Sequence, residues 1–316
     1  MVGDLLRRIG ARLLSVTGLL WHMPPACSAD ELERLATELS ATVRNLPRSS
    51  AGDGGLNGWS DFSQALTDQL ARRHPSAFLR YPVVRKTMFV NKDAYLRNEL
   101  QHLRDSPLWA ARWQPALRET RVGNPDPLWL YPWSSGNTVH HLYHICRLTE
   151  AVGANPEKIG YIFEFGGGYG NLCRLFHRIG FRGRYTIFDL PHFSALQNFY
   201  LRAAGASDLG GGLCLTTNED EASRELQKMA DGRSLLVATW SLSEAPLAAR
   251  RLVADHLPRF DYILIAYRDT FGGVDNDAYF TQVGQRLSST HVCVTEPIAH
   301  LPQNNYFFAA RKSGHE

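Results

Sequence analysis

Residues 161–172 read YIFEFGGGYGNL: a short apolar run holding one acid, Glu164, then Gly166, Gly168 and Gly170 at alternate positions. A glycine-rich turn between a strand and a helix lets a ligand approach the backbone beside the positive end of the helix. A nucleotide phosphate loop ends in Gly-Lys-Ser/Thr, and no lysine follows Gly170. The dinucleotide fingerprint is GxGxxG, whereas this spacing is GxGxG and its sixth position is Asn171. Glu164 would also sit awkwardly beside a pyrophosphate, but an acid suits a ligand with an ammonium group. S-adenosylmethionine carries an ammonium and a sulfonium and no phosphate. Downstream, RYTIF (184–188) reads as a second strand with Asp189 at its tip. An acid there can bind both hydroxyls of a ribose, and Leu190 beside it can line the adenine face.

The elements that must hold these residues follow from periodicity. Strand-like runs occur at 161–165, 184–188, 213–216, 234–239 and 261–266, with helical patterns at 170–179, 192–204, 219–230 and 244–256 between them. This alternation predicts a parallel sheet with helices on both faces. STHVCVTEP and NNYFFAARK, separated by a short Pro/Asn-rich link, predict an antiparallel hairpin closing that sheet. Residues 1–150 read instead as a mostly helical region broken by loops. SADELERLATELSATVRNL begins at a capping residue, Ser28 or Asp30. WSDFSQALTDQLARR stops before Pro75, and KDAYLRNELQHLRD is a further helix. TVHHLYHICRLTEAVG is one more, ended by Gly153. RSSAGDGGLNG (48–58) reads as a flexible connection. The Pro- and Trp-rich stretch with Trp109, Trp113, Trp129 and Trp133 cannot be one regular element.

Composition narrows the function. The chain has 316 residues, 44% hydrophobic and 21% charged, as in a soluble globular protein of one ordinary domain plus a smaller part. A net charge of +3 without a dense Lys/Arg block argues against a nucleic-acid partner. The five cysteines show no CxxC spacing and read as reduced thiols of a cytoplasmic protein. The first residues resemble a weak signal peptide. Leu5, Ile9, Leu13, Val16 and Leu20 fall at helical spacing, however, and favour an amphipathic docking helix able to touch a membrane surface weakly. No apolar stretch is long enough to span a bilayer.

Taken together, RVGNP (121–125), EFGGGYGNL (164–172), YTIFDLPHFSALQNFYL (185–201) and SLSEA (241–245) resemble the S-adenosylmethionine-binding core of the class I methyltransferases. More narrowly, the chain is similar to a bacterial family of sugar O-methyltransferases, over residues 80–310. The resemblance implies an α/β, Rossmann-like fold whose seven-stranded, mostly parallel sheet has an antiparallel last strand. The domain organisation expected is a methyltransferase domain at 151–316, with 1–150 as a helical cap contributing to substrate binding, residues 1–80 lying outside the resemblance. Glu164, Gly166, Gly168 and Asp189 would then hold the cofactor, with Tyr169 near its methionine end and Trp240 flanking the adenosine or the methyl group.

Methyl transfer to a sugar hydroxyl calls for a base or a metal. Glu244, after the fourth strand, is the expected proton acceptor. The alternative reading of Glu244 is a helix-terminal acid beside Ser243. His192, which opens a helix after Asp189-Leu-Pro, is the second candidate. His140, His141 and His144 share one helix; a third metal ligand is not evident beside the His140/His144 pair, and no metal is expected. Glu244 with Asp269 would suit Mg2+, which is not part of the expected site. Tyr131 and Trp133 could stack on a sugar, although for most of the aromatic stretch anchoring of the helical half is preferred. The expected partner is a small-molecule or glycan acceptor, and homo-oligomerisation is left open. A nitrogen, carbon or non-sugar hydroxyl acceptor and a non-catalytic protein of the same fold stand as alternatives, while Glu164 and the GxGxG spacing disfavour a nicotinamide oxidoreductase.

Overall fold

The structure, a computed structural model, describes residues 27–46, 59–88, 93–208, 212–229 and 233–312. The helix read between Leu5 and Leu20 and the connection at 48–58 lie outside them. Seven strands form one sheet: β1 (Ile159–Phe165), β2 (Arg184–Phe188), β3 (Leu213–Thr216), β4 (Arg233–Thr239), β5 (Tyr262–Arg268), β6 (His291–Pro297) and β7 (Asn304–Arg311). Their order is β6-β7-β5-β4-β1-β2-β3. β1 pairs in parallel with β2 and β4, and β4 with β5. β7 runs antiparallel between β5 and β6, as the hairpin pattern predicts.

Side chains alternate across a strand, and here both faces are buried, which is why the strands read as nearly continuous apolar runs. Ile162, Ile187, Val237, Leu264 and Phe308 face one core. That side is covered by α5 (Gly136–Val152), α6 (Asn171–Arg178) and α7 (Pro191–Ala203). Phe163, Phe165, Ala238, Ile265 and Phe307 face the other, under α8 (Glu219–Gln227), α10 (Leu247–Ala254) and α11 (Asn276–Leu287).

The helical half extends the first core. It consists of α1 (Ala29–Arg44), α2 (Trp59–Arg72), α3 (Pro82–Thr87) and α4 (Asp93–Asp105), whose Leu35, Leu66, Val84 and Leu100 join the same cluster. Ser28 caps α1 by accepting from Glu31 N at 3.2 Å, and Gly153 ends α5 in the left-handed conformation. The Trp-rich stretch forms a π-helical turn (Trp109–Trp113) and a small hairpin pairing 127–128 with 131–135. Trp113 is buried there and donates its indole N–H to Ser106 Oγ at 2.9 Å, whereas Trp129 stays 58% exposed. Among the described residues no helix is long and apolar enough to cross a membrane.

Three features depart from the periodicity. The helix expected over 244–256 is two helices, α9 (Ser241–Glu244) and α10, because Ala245 is extended before Pro246. α11 and a hairpin pairing 270–271 with 274–275 fill the stretch between β5 and β6.

One buried ion pair joins the helical half to the sheet. Arg174 of α6 and Glu119 lie 3.0 Å apart, both almost fully buried. Glu119 also accepts from Thr120 N (2.9 Å), Ser135 Oγ (2.5 Å) and Thr138 Oγ1 (2.6 Å), and Arg174 also donates to Asn171 Oδ1 (2.9 Å). Removing one partner of such a pair leaves an uncompensated charge, at a cost of about 3–5 kcal/mol. Arg174→Met should therefore lower the free energy of unfolding by about that amount in denaturant titration, and Glu119→Gln added to it should restore part of the loss. A double variant no more stable than Arg174→Met would contradict this assignment.

Candidate functional site

The glycine turn joins β1 to α6 at the carboxyl end of β1. Gly166 (φ 74°) lies so close to β4's continuation that a Cβ there would overlap Ser241, whose hydroxyl donates to Phe165 O. At Gly168 (φ 57°) the opposite holds, and a Cβ would meet no atom within 4 Å. One glycine is needed for close packing and the other faces open space, the arrangement that leaves backbone available to a ligand. The turn is tied to β2 and α7: Gly166 N donates to Phe188 O (2.8 Å) and Gly168 N to Asp189 Oδ2 (3.1 Å). Gln197 bridges from α7, its Nε2 donating to Asp189 Oδ2 (2.7 Å) and to Gly168 O (2.9 Å).

Both predicted carboxyls sit here, in different positions. Asp189 follows β2, half-buried, and its Oδ1 accepts from Leu190 N at 2.7 Å. Burial pushes its pKa up to about 7 against the pull of Leu190 N, Gln197 and the turn amides. Glu164 is fully buried behind the turn, under Gly167, where its Oε2 accepts from Tyr185 OH at 2.8 Å. Burial raises it to about 8; the Tyr185 bond works against the shift and nearby Asp189 adds to it. Tyr185, which decides where Glu164 points, carries no signal in the sequence beyond its place in β2.

Trp240 ends β4 with φ 63° and ψ −35°, a conformation rare for any non-glycine residue and rarer for a bulky one. Its N–H donates to Ala266 O (2.6 Å) and its indole N–H to Asn304 Oδ1 (2.7 Å) on β7. Its ring stacks on His140, centroids 5.4 Å apart and 20° from parallel, and meets His144 edge-on. Behind it runs a buried polar chain unread in the sequence as a unit. His140 Nδ1 lies 2.6 Å from Glu99 Oε1, and His300 Nε2 is 2.8 Å from the same oxygen. His140 Nε2 lies 3.1 Å from His144 Nε2, and His144 Nδ1 is 2.5 Å from Tyr306 OH. Burial disfavours charge on Glu99, but His140 and His300 outweigh it and hold the carboxyl below its usual range. Burial and neighbouring His140 keep His144 neutral, its pKa well below the usual histidine value. His141, next to His140 on α5, accepts at Nδ1 from Asn171 Nδ2 at 2.9 Å; burial lowers its pKa to about 3, which keeps it a neutral acceptor.

The remaining predicted residues stand as follows. Tyr169 is buried against Phe78, Tyr200 and His141, and its hydroxyl accepts from Asn137 Nδ2 at 3.3 Å. Leu190 is half-buried against the core. His192 is buried at the start of α7; neither ring nitrogen has a hydrogen-bond partner, and burial lowers its pKa. Glu244 is half-buried in α9, with its N–H donating to Trp240 O at 3.0 Å. α9 is clamped by buried Arg250, which donates to Ser243 O (2.7 Å), Ala245 O (2.9 Å) and Asn276 Oδ1 (2.8 Å). Asp269 closes the short hairpin after β5, accepting at Oδ1 from Thr270 N (2.8 Å) and at its carbonyl from Asn276 N (2.8 Å). Tyr131 packs edge-on against Trp109 with the Arg104 guanidinium 5.7 Å over its ring, while Trp133 stays 37% exposed.

No protein-family model and no curated protein matches the chain. Among solved structures it is similar to a precorrin-6y C5,15-methyltransferase from Geobacter metallireducens GS-15, at 12% identity over 54% of this chain and 88% of that one, with a TM-score of 0.37. It is also similar to the N-terminal domain of human METTL16 in complex with SAH, at 11% identity over 55% of this chain and 70% of that one, with a TM-score of 0.38. A third is a ribosomal protein L11 methylase from Lactobacillus delbrueckii subsp. bulgaricus, at 12% identity over 55% and 80% respectively, with a TM-score of 0.37.

The raised pKa of Glu164 has a stability consequence. The folded state keeps this proton up to about pH 8, whereas the unfolded chain releases it near the ordinary carboxylate value. Folded protein thus binds more protons between these limits, and the stability tied to Glu164 is present at low pH and lost as pH rises through about 8. Calorimetric Tm should fall between pH 6 and pH 9. Glu164→Gln, which keeps an acceptor for Tyr185, should show a shallower fall; an unchanged slope would rule out Glu164 as the titrating group.

Proposed function

We propose that this chain is an S-adenosylmethionine-dependent O-methyltransferase acting on a hydroxyl of a sugar or glycosylated metabolite. The observation that carries the reading is the meeting of the glycine turn, Asp189 and Trp240 at the carboxyl ends of β1, β2 and β4. This is the point where strand order reverses and where open α/β sheets bind their ligands. The residues fit the cofactor: Gly168 faces open space, and Asp189 presents a half-buried carboxyl at the carboxyl end of β2, beside the turn. Bound there, S-adenosylmethionine supplies a methyl group made electrophilic by its sulfonium.

Gly166 and Gly168 keep side chains out of the cofactor's way, and Asp189 accepts from the ribose hydroxyls. Leu190 and Trp240 flank the adenosine and the methyl position and exclude water. Tyr169 braces the turn from the helical half, and Glu164 favours the ammonium group from behind the turn rather than by direct contact. On the acceptor side, Glu244 takes the hydroxyl proton. His140, stacked on Trp240 and backed by Glu99, is a second group at that wall, and His192 lies nearer the adenosine side. The helical cap over residues 1–150 completes the acceptor pocket, with the exposed rings of Trp129 and Trp133 offering faces to a sugar.

Calorimetry with S-adenosylhomocysteine tests the cofactor half of this reading. Wild type should bind it, and Asp189→Ala should weaken binding about 10- to 150-fold, the range for hydrogen bonds to a charged group. Since the Asp189 carboxylate forms only above about pH 7, affinity should rise as pH passes through that value and rise less steeply in Asp189→Asn, where only Glu164 remains to titrate. No binding by the wild type would sink the proposal.

Labelled S-adenosylmethionine offered with nucleotide-sugars, glycans and amines tests the acceptor half. Label on an amine alone would replace the sugar reading, and cofactor binding with no methylated acceptor would favour the non-catalytic one. Glu244→Gln should lower turnover about 10²- to 10⁴-fold with cofactor affinity kept. Full activity in that variant, with loss in His140→Gln, would move the base to His140.

A further inference from the structure

On another face of α5, away from His140 and His144, lies a second group of chemically capable side chains. His102 of α4 meets Cys146 and Glu150, one turn apart on α5. Among the described residues this is the one group of three or more His, Cys, Asp or Glu whose ligand atoms all fall within 4.8 Å of one another. His102 Nε2 lies 3.0 Å from Glu150 Oε1 and 2.8 Å from Oε2, and Cys146 Sγ lies 3.4 Å from Oε1.

We propose that His102, Cys146 and Glu150 bind a zinc-class divalent cation and that the ion pins α4 to α5. Nitrogen, thiolate sulfur and one carboxylate oxygen are the donors of tetrahedral zinc sites, and Zn–N, Zn–S and Zn–O bonds of about 2.0–2.3 Å place ligand atoms roughly 3.3–3.7 Å apart. The His102–Glu150 and Cys146–Glu150 separations of 2.8–3.4 Å need to open by only a few tenths of an ångström, and all three ligand atoms already lie within 4.8 Å of one another. The mixed set with a thiolate excludes Mg2+ and Ca2+, which take oxygen ligands.

The surroundings suit this use. Arg147 Nη1 donates to Glu150 Oε2 at 2.7 Å, which leaves Oε1 turned to Cys146, and Arg147 is itself anchored on Glu296 of β6. The His102 ring stands edge-on against Tyr143, centroids 5.2 Å apart. Cys146 is buried, whereas His102 and Glu150 are about one-third exposed, so the ion can enter from solvent and complete its shell with water. Binding replaces the thiol proton: one Zn2+ enters, one S–Zn bond forms and one H+ leaves. The thiolate rather than the thiol is the ligand, so zinc affinity rises with pH. Glu99, which holds His140, lies one turn before His102 on α4, so a tie at this point steadies the contact between the two helices.

The test uses the full chain, freed of metal by chelation and titrated with Zn2+ or Co2+ alone. One equivalent of Zn2+ should bind with a rise in Tm, and Co2+ should produce a near-ultraviolet thiolate-to-metal absorption band. Cys146→Ser should abolish that band, and His102→Gln, at a position about one-third exposed, should weaken Zn2+ binding by at least about tenfold. His144→Gln should leave both signals in place. Absence of saturable binding in the wild type overturns the proposal. So does binding unchanged in both Cys146→Ser and His102→Gln, or binding lost in His144→Gln alone.

Discussion

Arg174 and Glu119, a guanidinium and a carboxylate shut away from water, determine where the parts of the site can stand. Each ion loses several kcal/mol of hydration on burial, so the pair persists only because its surroundings are saturated with donors and acceptors. Those partners come from every piece that must be aligned: Thr120 from the segment after the π-helical turn, Ser135 and Thr138 from the start of α5, and Asn171 from the head of α6 just beyond the glycine turn. Asn171 then bonds His141 and accepts from Tyr200 OH at 3.1 Å. A shift of α5 against the turn would leave several of these groups unsatisfied at once. The network therefore fixes α5, and with it His140, relative to Gly168 and Trp240.

The same logic separates what could be read in the sequence from what could not. The strands were legible because a sheet covered on both faces demands apolar residues at every position, as in YIFEF and SLLVAT. The turn was legible because Gly166 and Gly168 have left-handed backbones that other residues adopt at a cost. Local signals end there. Glu164 reads as an acid in front of a ligand, yet Tyr185 on the neighbouring strand draws its carboxyl behind the turn. Glu99, His140, His144, His300 and Tyr306 belong to four separate elements, and no spacing in the chain announces that they form one hydrogen-bonded line. The break between α9 and α10 was visible as Pro246, but the helical periodicity of the flanking residues masked it.

Electrostatics in the turn pull in two directions. Asp189 and Glu164 are both raised by burial, so at neutral pH the turn holds less negative charge than its composition implies. Protonation relieves the desolvation of two acids lying close together, which favours the fold. A ligand bringing a positive charge and hydroxyl donors would reverse that preference, drawing the protons off as it binds. Under the proposed reading, fold stability and ligand affinity respond to pH with opposite sign, and the two carboxyls are the reason.

Trp240 shows where the fold accepts strain to keep a side chain in place. Its φ of 63° and ψ of −35° cost on the order of 1–3 kcal/mol for a non-glycine residue. The chain must turn at once after β4, because Ser241 has to lie over Gly166 and reach Phe165 O, while Ser243 Oγ and Glu244 N both bond back to Trp240 O. Glycine would make the same turn without strain. What glycine cannot supply is an indole anchored on Asn304 and laid flat on His140, a rigid wall between the imidazole chain and the space before the turn. A bulky residue kept in a glycine conformation is explained when its ring is needed at that wall, which under the proposed reading is where an acceptor and a methyl group meet.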